Sequence, residues 1–167
     1  MATDLSSRTW GTFVGTANDT YITGVANINT SGQVFACGYT RSNSNIATAG
    51  SLSAALNNNG TGTSTGTSAY DGFAIHMTSA GARDAGTYLG GADNDRAMGV
   101  AYDGINDRCV VVGYGNSINT GAQHIASIGG GLPQSQVNGN NVALGPNDGW
   151  VVRLAFSGTQ MTRNWGT

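Results

Sequence analysis

The chain has 167 residues and a formal net charge of −2, its nine acids all Asp and its seven bases all Arg. That balance gives no basic footprint for nucleic acid and no polybasic membrane anchor, and no window approaches the roughly 18 apolar residues of a membrane-spanning helix. Glu and Lys, both good helix formers, are missing, while Gly, Thr, Asn and Ser dominate, so an all-β protein with long polar loops is expected.

Residues 1–7 read as an N-terminal tail. "MATDLSSRTW" carries neither a basic n-region nor an apolar h-region, so no signal peptide is visible and synthesis in a cytoplasm is expected. "SRTWGT" (Ser7 to Thr12) then opens the first element, and "TRNWGT" (Thr162 to Thr167) closes the chain on nearly the same six residues.

A repeat lies between them. A shift of 75 residues aligns "GTFVGTANDTYITGVANINTSGQVFACGYTRS" (from Gly11) with "GTYLGGADNDRAMGVAYDGINDRCVVVGYGNS" (from Gly86) without a gap, and "DGFAIHMTSAG" (from Asp71) matches "DGWVVRLAFSG" (from Asp148) at an offset of 77. Each unit reads as four short strands. The first is "YITGVAN" or "RAMGVAY", and after a turn comes "QVFACGYT" or "CVVVGYG". A long polar excursion leads to "GFAIHMT" or "GWVVRLAF", and the turn "SAGA" or "SGTQ" to the fourth strand, "AGTYLGG" or the terminal "WGT". Alternating or continuous apolar runs bounded by Gly, Asn and Asp are the strand signal. Four antiparallel strands per long period suggest propeller blades. The units span 8–91, with an extra N-terminal strand at Trp10, and 92–167.

The run "DGFAIHMTSAGARDAGTYLGGADNDRAMGVAYDGINDRCVVVGYG" resembles the bacterial β-propeller repeats of the SBBP type, in the order and spacing of D-G-F, T-Y-L-G-G, G-V-A-Y-D and G-Y-G. The family's Lys after the third strand is replaced by His76-Met77 or Arg153-Leu154, and its turn is blurred to "NTSG" and "GINDR". The resemblance implies a fold and no reaction. Two blades cannot close a ring, so a homo-oligomer is expected, a trimer favoured, with six blades and terminal strands stitching neighbours. The alternative is a two-sheet β-sandwich whose N-terminal strand completes a sheet.

The excursions, Arg41 to Tyr70 and Asn116 to Asn147, exceed the usual length of structureless loops. In a meander they share one end with the connections "GTANDT" and "GGADND". That end is expected to carry the binding residues, namely Asn18, Asp19, Asp93, Asp95, His124, Asn138 and Asn140. The alternative is padding that covers sheet edges or packs against neighbouring subunits. Trp10, Trp150, Trp165, Phe13 and Tyr88, with Phe73, fall at matched strand positions and are expected to pack between blades or subunits; similar aromatics line sugar sites in small propeller lectins.

Chemistry is sparse. Cys37 matches Val112 and Cys109 matches Val34, so the two sit on opposite faces of strand two and read as buried free thiols. Asp93 and Asp95, near Asp103 and Asp107, form an oxygen-rich group of the kind that can hold Ca²⁺. Their counterparts in the first unit (Asn18, Thr20, Ile28, Gly32) are not acids, so solvated turn carboxylates and no metal are expected. His76 is placed on the more polar face of strand three and His124 in an excursion, without zinc-ligand spacing. There is no G-x-S-x-G elbow, and "GGG" (Gly129 to Gly131) lacks the following Lys of a P-loop. The sequence therefore points to a non-enzymatic structural or binding protein without cofactor, on a virion (a phage capsid decoration or tail-associated component) or a cell exterior. Its partners would be other virion proteins or surface glycans. An oligomeric lectin or adhesin of propeller type is the alternative.

Overall fold

The structure, a computed structural model, describes residues 9–16, 18–28, 31–56, 69–91, 93–104, 107–116, 125 and 147–166. Among them are eight strands and no helix. These are β1 (Thr20–Ile28), β2 (Gln33–Thr40), β3 (Asp71–Met77), β4 (Arg83–Leu89), β5 (Asp95–Tyr102), β6 (Arg108–Gly115), β7 (Asp148–Ser157) and β8 (Gln160–Gly166). They form two four-stranded sheets, in the orders β1-β2-β3-β4 and β5-β6-β7-β8. Every neighbouring pair is antiparallel. The four strands expected in each unit are thus present, joined within each sheet as a simple meander.

The repeat extends to irregularities. Register breaks at Ile22/Gly24 and at Ala97/Gly99, and again at His76/Met77 and Arg153/Leu154. Both pairs are matched positions, so each unit carries the same two bulges. At the first pair, a Cβ added at Gly24 would lie 3.2 Å from the Cα of Gly99, where the edge strands β1 and β5 touch backbone to backbone. Gly81 and Gly158 hold positive φ (80° and 61°) in the β3–β4 and β7–β8 turns, a conformation that favours glycine.

Alternation along the strands decides how the sheets stack. Phe35 and Cys37 on β2 project to one face (the front) and join a cluster with Cys109, Val111, Trp150, Val152 and Leu154 of the second sheet. Ala36, Phe73, Ile75, Met77 and Tyr88 form a separate cluster on the back of the first sheet. In the second sheet the roles invert. Cys109 and Val111, matching Val34 and Ala36, meet the first sheet, while Val112, matching Cys37, is exposed. The front of one unit therefore covers the back of the next.

That stacking brings the two thiols together. They lie on opposite faces of their own sheets yet share one interlayer core, both free and fully buried. Burial pushes the Cys109 thiol up to about 12, with the nearby Cys37 adding to the rise. Cys37 is also raised by burial, against a hydrogen bond shared with Thr23 that lowers it.

The described part of the first excursion covers a sheet edge. Thr48 N–H donates to the Gly86 carbonyl (2.9 Å) and Tyr88 N–H to the Ser53 carbonyl (3.1 Å), while Leu52 N–H donates to the Met161 carbonyl (2.7 Å). Residues 48–53 thus lace the free edge of β4 to β8, removing a liability. The N-terminal copy of the fourth strand expected at Trp10 is not a strand in the single chain: residues 9–14 pair with no sheet. The β4 edge is already taken by residues 48–53. Trp10 instead lies over Gly81, where an added Cβ would come within 2.6 Å of the indole.

Candidate functional site

The loop end of the two sheets does gather polar and aromatic groups. Tyr21 is the second residue of β1, Tyr39 the penultimate residue of β2 with Arg41 just beyond it, Tyr70 precedes β3, Arg96 is the second residue of β5, and Tyr114 the penultimate residue of β6. Period-two alternation turns Tyr39 to the front with Cys37, toward the second sheet. Tyr21 stacks on Tyr39 at 4.9 Å between centroids, and Tyr70 meets Tyr39 edge-on at 5.2 Å. From the second sheet, Arg96 reaches across the seam, its guanidinium carbon 4.9 Å from the Tyr39 ring, 5.4 Å from Tyr70 and 6.0 Å from Tyr114. Its Nη1 donates to the Tyr114 hydroxyl at 3.2 Å. Each guanidinium–ring contact contributes about 0.5–1 kcal/mol where exposed.

Asp19 and Arg41 close one side. The Arg41 guanidinium donates to the Asp19 carboxylate, and Arg41 lies 4.9 Å from the Tyr70 ring. The Tyr70 hydroxyl donates to Asp19 as well, at 3.3 Å. Asn18 Nδ2 donates to the Arg41 carbonyl at 3.2 Å. The bond to Asp19 raises the Arg41 pKa, and burial raises that of Tyr70. Arg41 stays cationic and Tyr70 a neutral hydroxyl at physiological pH. Tyr21 is 46% exposed, and the Asp19 side chain 48%. The seam thus offers flat aromatic surface, two guanidinium groups and a carboxylate to solvent.

Of the residues expected at this end, Asn18 and Asp19 belong to the seam. Asp93 and Asp95 are not solvated turn carboxylates. They are 8% and 2% exposed, and Asp95 is used internally, accepting the Gly91 N–H at 2.9 Å. A carboxylate tying down a tight glycine turn is buried by its own backbone donors. His124, Asn138 and Asn140 lie outside the described residues. Tyr21, Tyr39, Arg41, Tyr70, Arg96 and Tyr114 were missed. The signal available was the recurrence of Tyr39 as Tyr114 beside the loops, in "GYT" and "GYG".

The aromatics expected between units separate into different environments. Trp150 is in the interlayer core, whereas Tyr88 is buried on the back of the first sheet and donates to the Ser42 carbonyl at 2.8 Å. Trp165 is half-buried opposite Arg153, and Phe13 is 97% exposed. His76 is not on a polar face. It is 1% exposed, stacked on Phe156 at 4.0 Å and hydrogen-bonded through Nδ1 to Asp84 at 2.5 Å. The front of β3 is covered by the second sheet, so a polar residue there is packed, and His76 is paired through Nδ1 alone, its buried Nε2 meeting no hydrogen-bond partner among the described residues.

Among the described residues no group of three or more His, Cys, Asp or Glu is placed to hold a metal ion. No helix among them is long and apolar enough to cross a membrane. No protein-family model matches the chain, and no curated protein matches it in sequence.

Proposed function

We propose that the chain is a non-enzymatic structural and binding protein of an exposed assembly, its sheets acting as two propeller-type blades and its tyrosine–arginine seam as a carbohydrate site. The seam is the observation that carries this reading. Sugars present apolar C–H faces that stack on aromatic rings and hydroxyls that pair with charged donors and acceptors. Tyr21, Tyr39 and Tyr70 supply the first, and Arg41, Arg96 and Asp19 the second. Front-to-back stacking supports blades over a sandwich, because facing sheets of a sandwich would each turn a single kind of face inward. A particle surface, as a phage capsid decoration or tail-associated component, is the setting favoured by the sequence, with surface glycans or other virion proteins as partners.

The test is a glycan array followed by titration of the best ligand. The wild-type chain should bind at least one glycan class, and Tyr21→Ala should weaken it about two- to tenfold, as loss of one ring contact of ~0.5–1.5 kcal/mol implies. Arg96→Ala should weaken it as well. Binding that survives both substitutions, or a wild-type chain that binds no glycan, would remove carbohydrate from the reading.

A further inference from the structure

Six large apolar side chains stand exposed among the described residues, and four of them lie on two faces. Ile22 (50%) and Val25 (65%) are on the back of β1, and Met98 (44%) and Val112 (46%) on the front of β5 and β6. Those two faces already meet once inside the chain. Ala97 and Val100, which match Ile22 and Val25, pack into the interlayer core. Thr23 and Cys37, which match Met98 and Val112, lie beneath the second sheet. There Thr23 Oγ1 donates to the Ala97 carbonyl at 2.8 Å, and Cys37 is fully buried.

We propose that a second copy of this chain adds head to tail, with the back of its β1 seated on the front of β5 and β6 of the first. The occupant follows from the repeat: the surface complementary to an exposed second-unit front is a first-unit back, and this chain carries one at its other end, exposed along β1 at Ile22 and Val25. The loop over the outer part of that back is no obstacle. Ile46 sits beside Gly86 there, and Ile125 sits beside Gly166 in the same way while lying within the interlayer core. The contact is heterologous, so it closes into a ring where the rotation returns on itself, and a three-chain ring of six sheets is the favoured closed form. It also sets Tyr21 of one copy beside Tyr114 of the next, as Arg96 lies beside Tyr39 within the chain. The inference rests on the blade reading of the sheets and not on the ligand.

Two charge substitutions on exposed positions test it. Val25→Asp and Val112→Asp each spoil one face and keep the other. Wild type should show a multiple of the chain mass by light scattering, and each variant alone the single-chain mass with an unchanged circular dichroism spectrum. Mixing the two variants should give a one-to-one pair and nothing larger, because only one good contact can form. A monomeric wild type overturns the proposal and leaves the faces to a different chain. Variants that keep the wild-type mass, or a mixture that forms no pair, overturn it too. If either variant misfolds, Ile22→Asn and Met98→Asn address the same faces more gently. The monomeric variants retain the whole internal seam, so their glycan binding separates failure of the stacking from failure of the ligand reading.

Discussion

Truncating the same repeat position in each unit should have very different consequences. Phe35 is fully buried in the interlayer core, with His76 at 5.2 Å, Tyr102 at 6.3 Å and Phe156 at 6.4 Å between ring centroids. Phe35→Ala removes that packing and leaves a cavity, costing about 3–5 kcal/mol. Native stability is about 5–15 kcal/mol, so this is a large share of the total. At 2–4 °C per kcal/mol for a chain of this size, the midpoint should fall by roughly 6–20 °C. Val110 is its match on the open front of the second sheet, where it is half-buried. Val110→Ala deletes two methyl groups' worth of surface, at most ~0.8 kcal/mol each when buried, so about 1 kcal/mol or less is expected. Urea unfolding, at a dilution where the chain is monomeric, measures both. Equal losses at the two positions would refute front-to-back stacking, since that arrangement alone makes one front a core and the other a surface.

Two further outcomes follow from the buried core. Cys109 is raised from 9.0 to about 12 and Tyr88 from 10.0 to about 12, both chiefly by burial. The unfolded chain therefore loses these protons at lower pH than the folded one. Their contribution is complete below about pH 9 and is lost as pH rises toward about 12; urea midpoints that stay flat across this range would contradict the assigned burial. Cys37→Val and Cys109→Val each install the residue found at the matched position and should cost less than about 1.5 kcal/mol. A loss of several kcal/mol with a mass change on reduction would show a disulfide where the structure has free thiols.

The repeat made much of the strand layout readable in advance. Period-two apolar runs bounded by Gly, Asn and Asp are a local signal, and the 75-residue self-match doubled it. The hairpin order inside each sheet followed because short turns leave antiparallel neighbours few alternatives. The excursion after β2 was harder. "NIATAG" at Asn45 and "HIASIG" at His124 match one another, and Ile46 and Ile125 occupy equivalent places against Gly86 and Gly166. That similarity was available as a sign that Ile46 and Ile125 are structural.

What the sequence determined by itself was which residues alternate, where the chain turns, and that one unit is built twice. Which face of one sheet covers which face of the other was decided by tertiary structure, because contacts between sheets join residues far apart whose local patterns are identical in either stacking. That one choice put Cys37 and Cys109 into the same layer from opposite faces of their own strands. It buried His76 between Phe35 and Phe156, and drew Arg96 across to Tyr39 and Tyr70. It also left Val25 and Val112 exposed at opposite ends of the stack, since in a front-to-back pair of two one front and one back meet no second sheet.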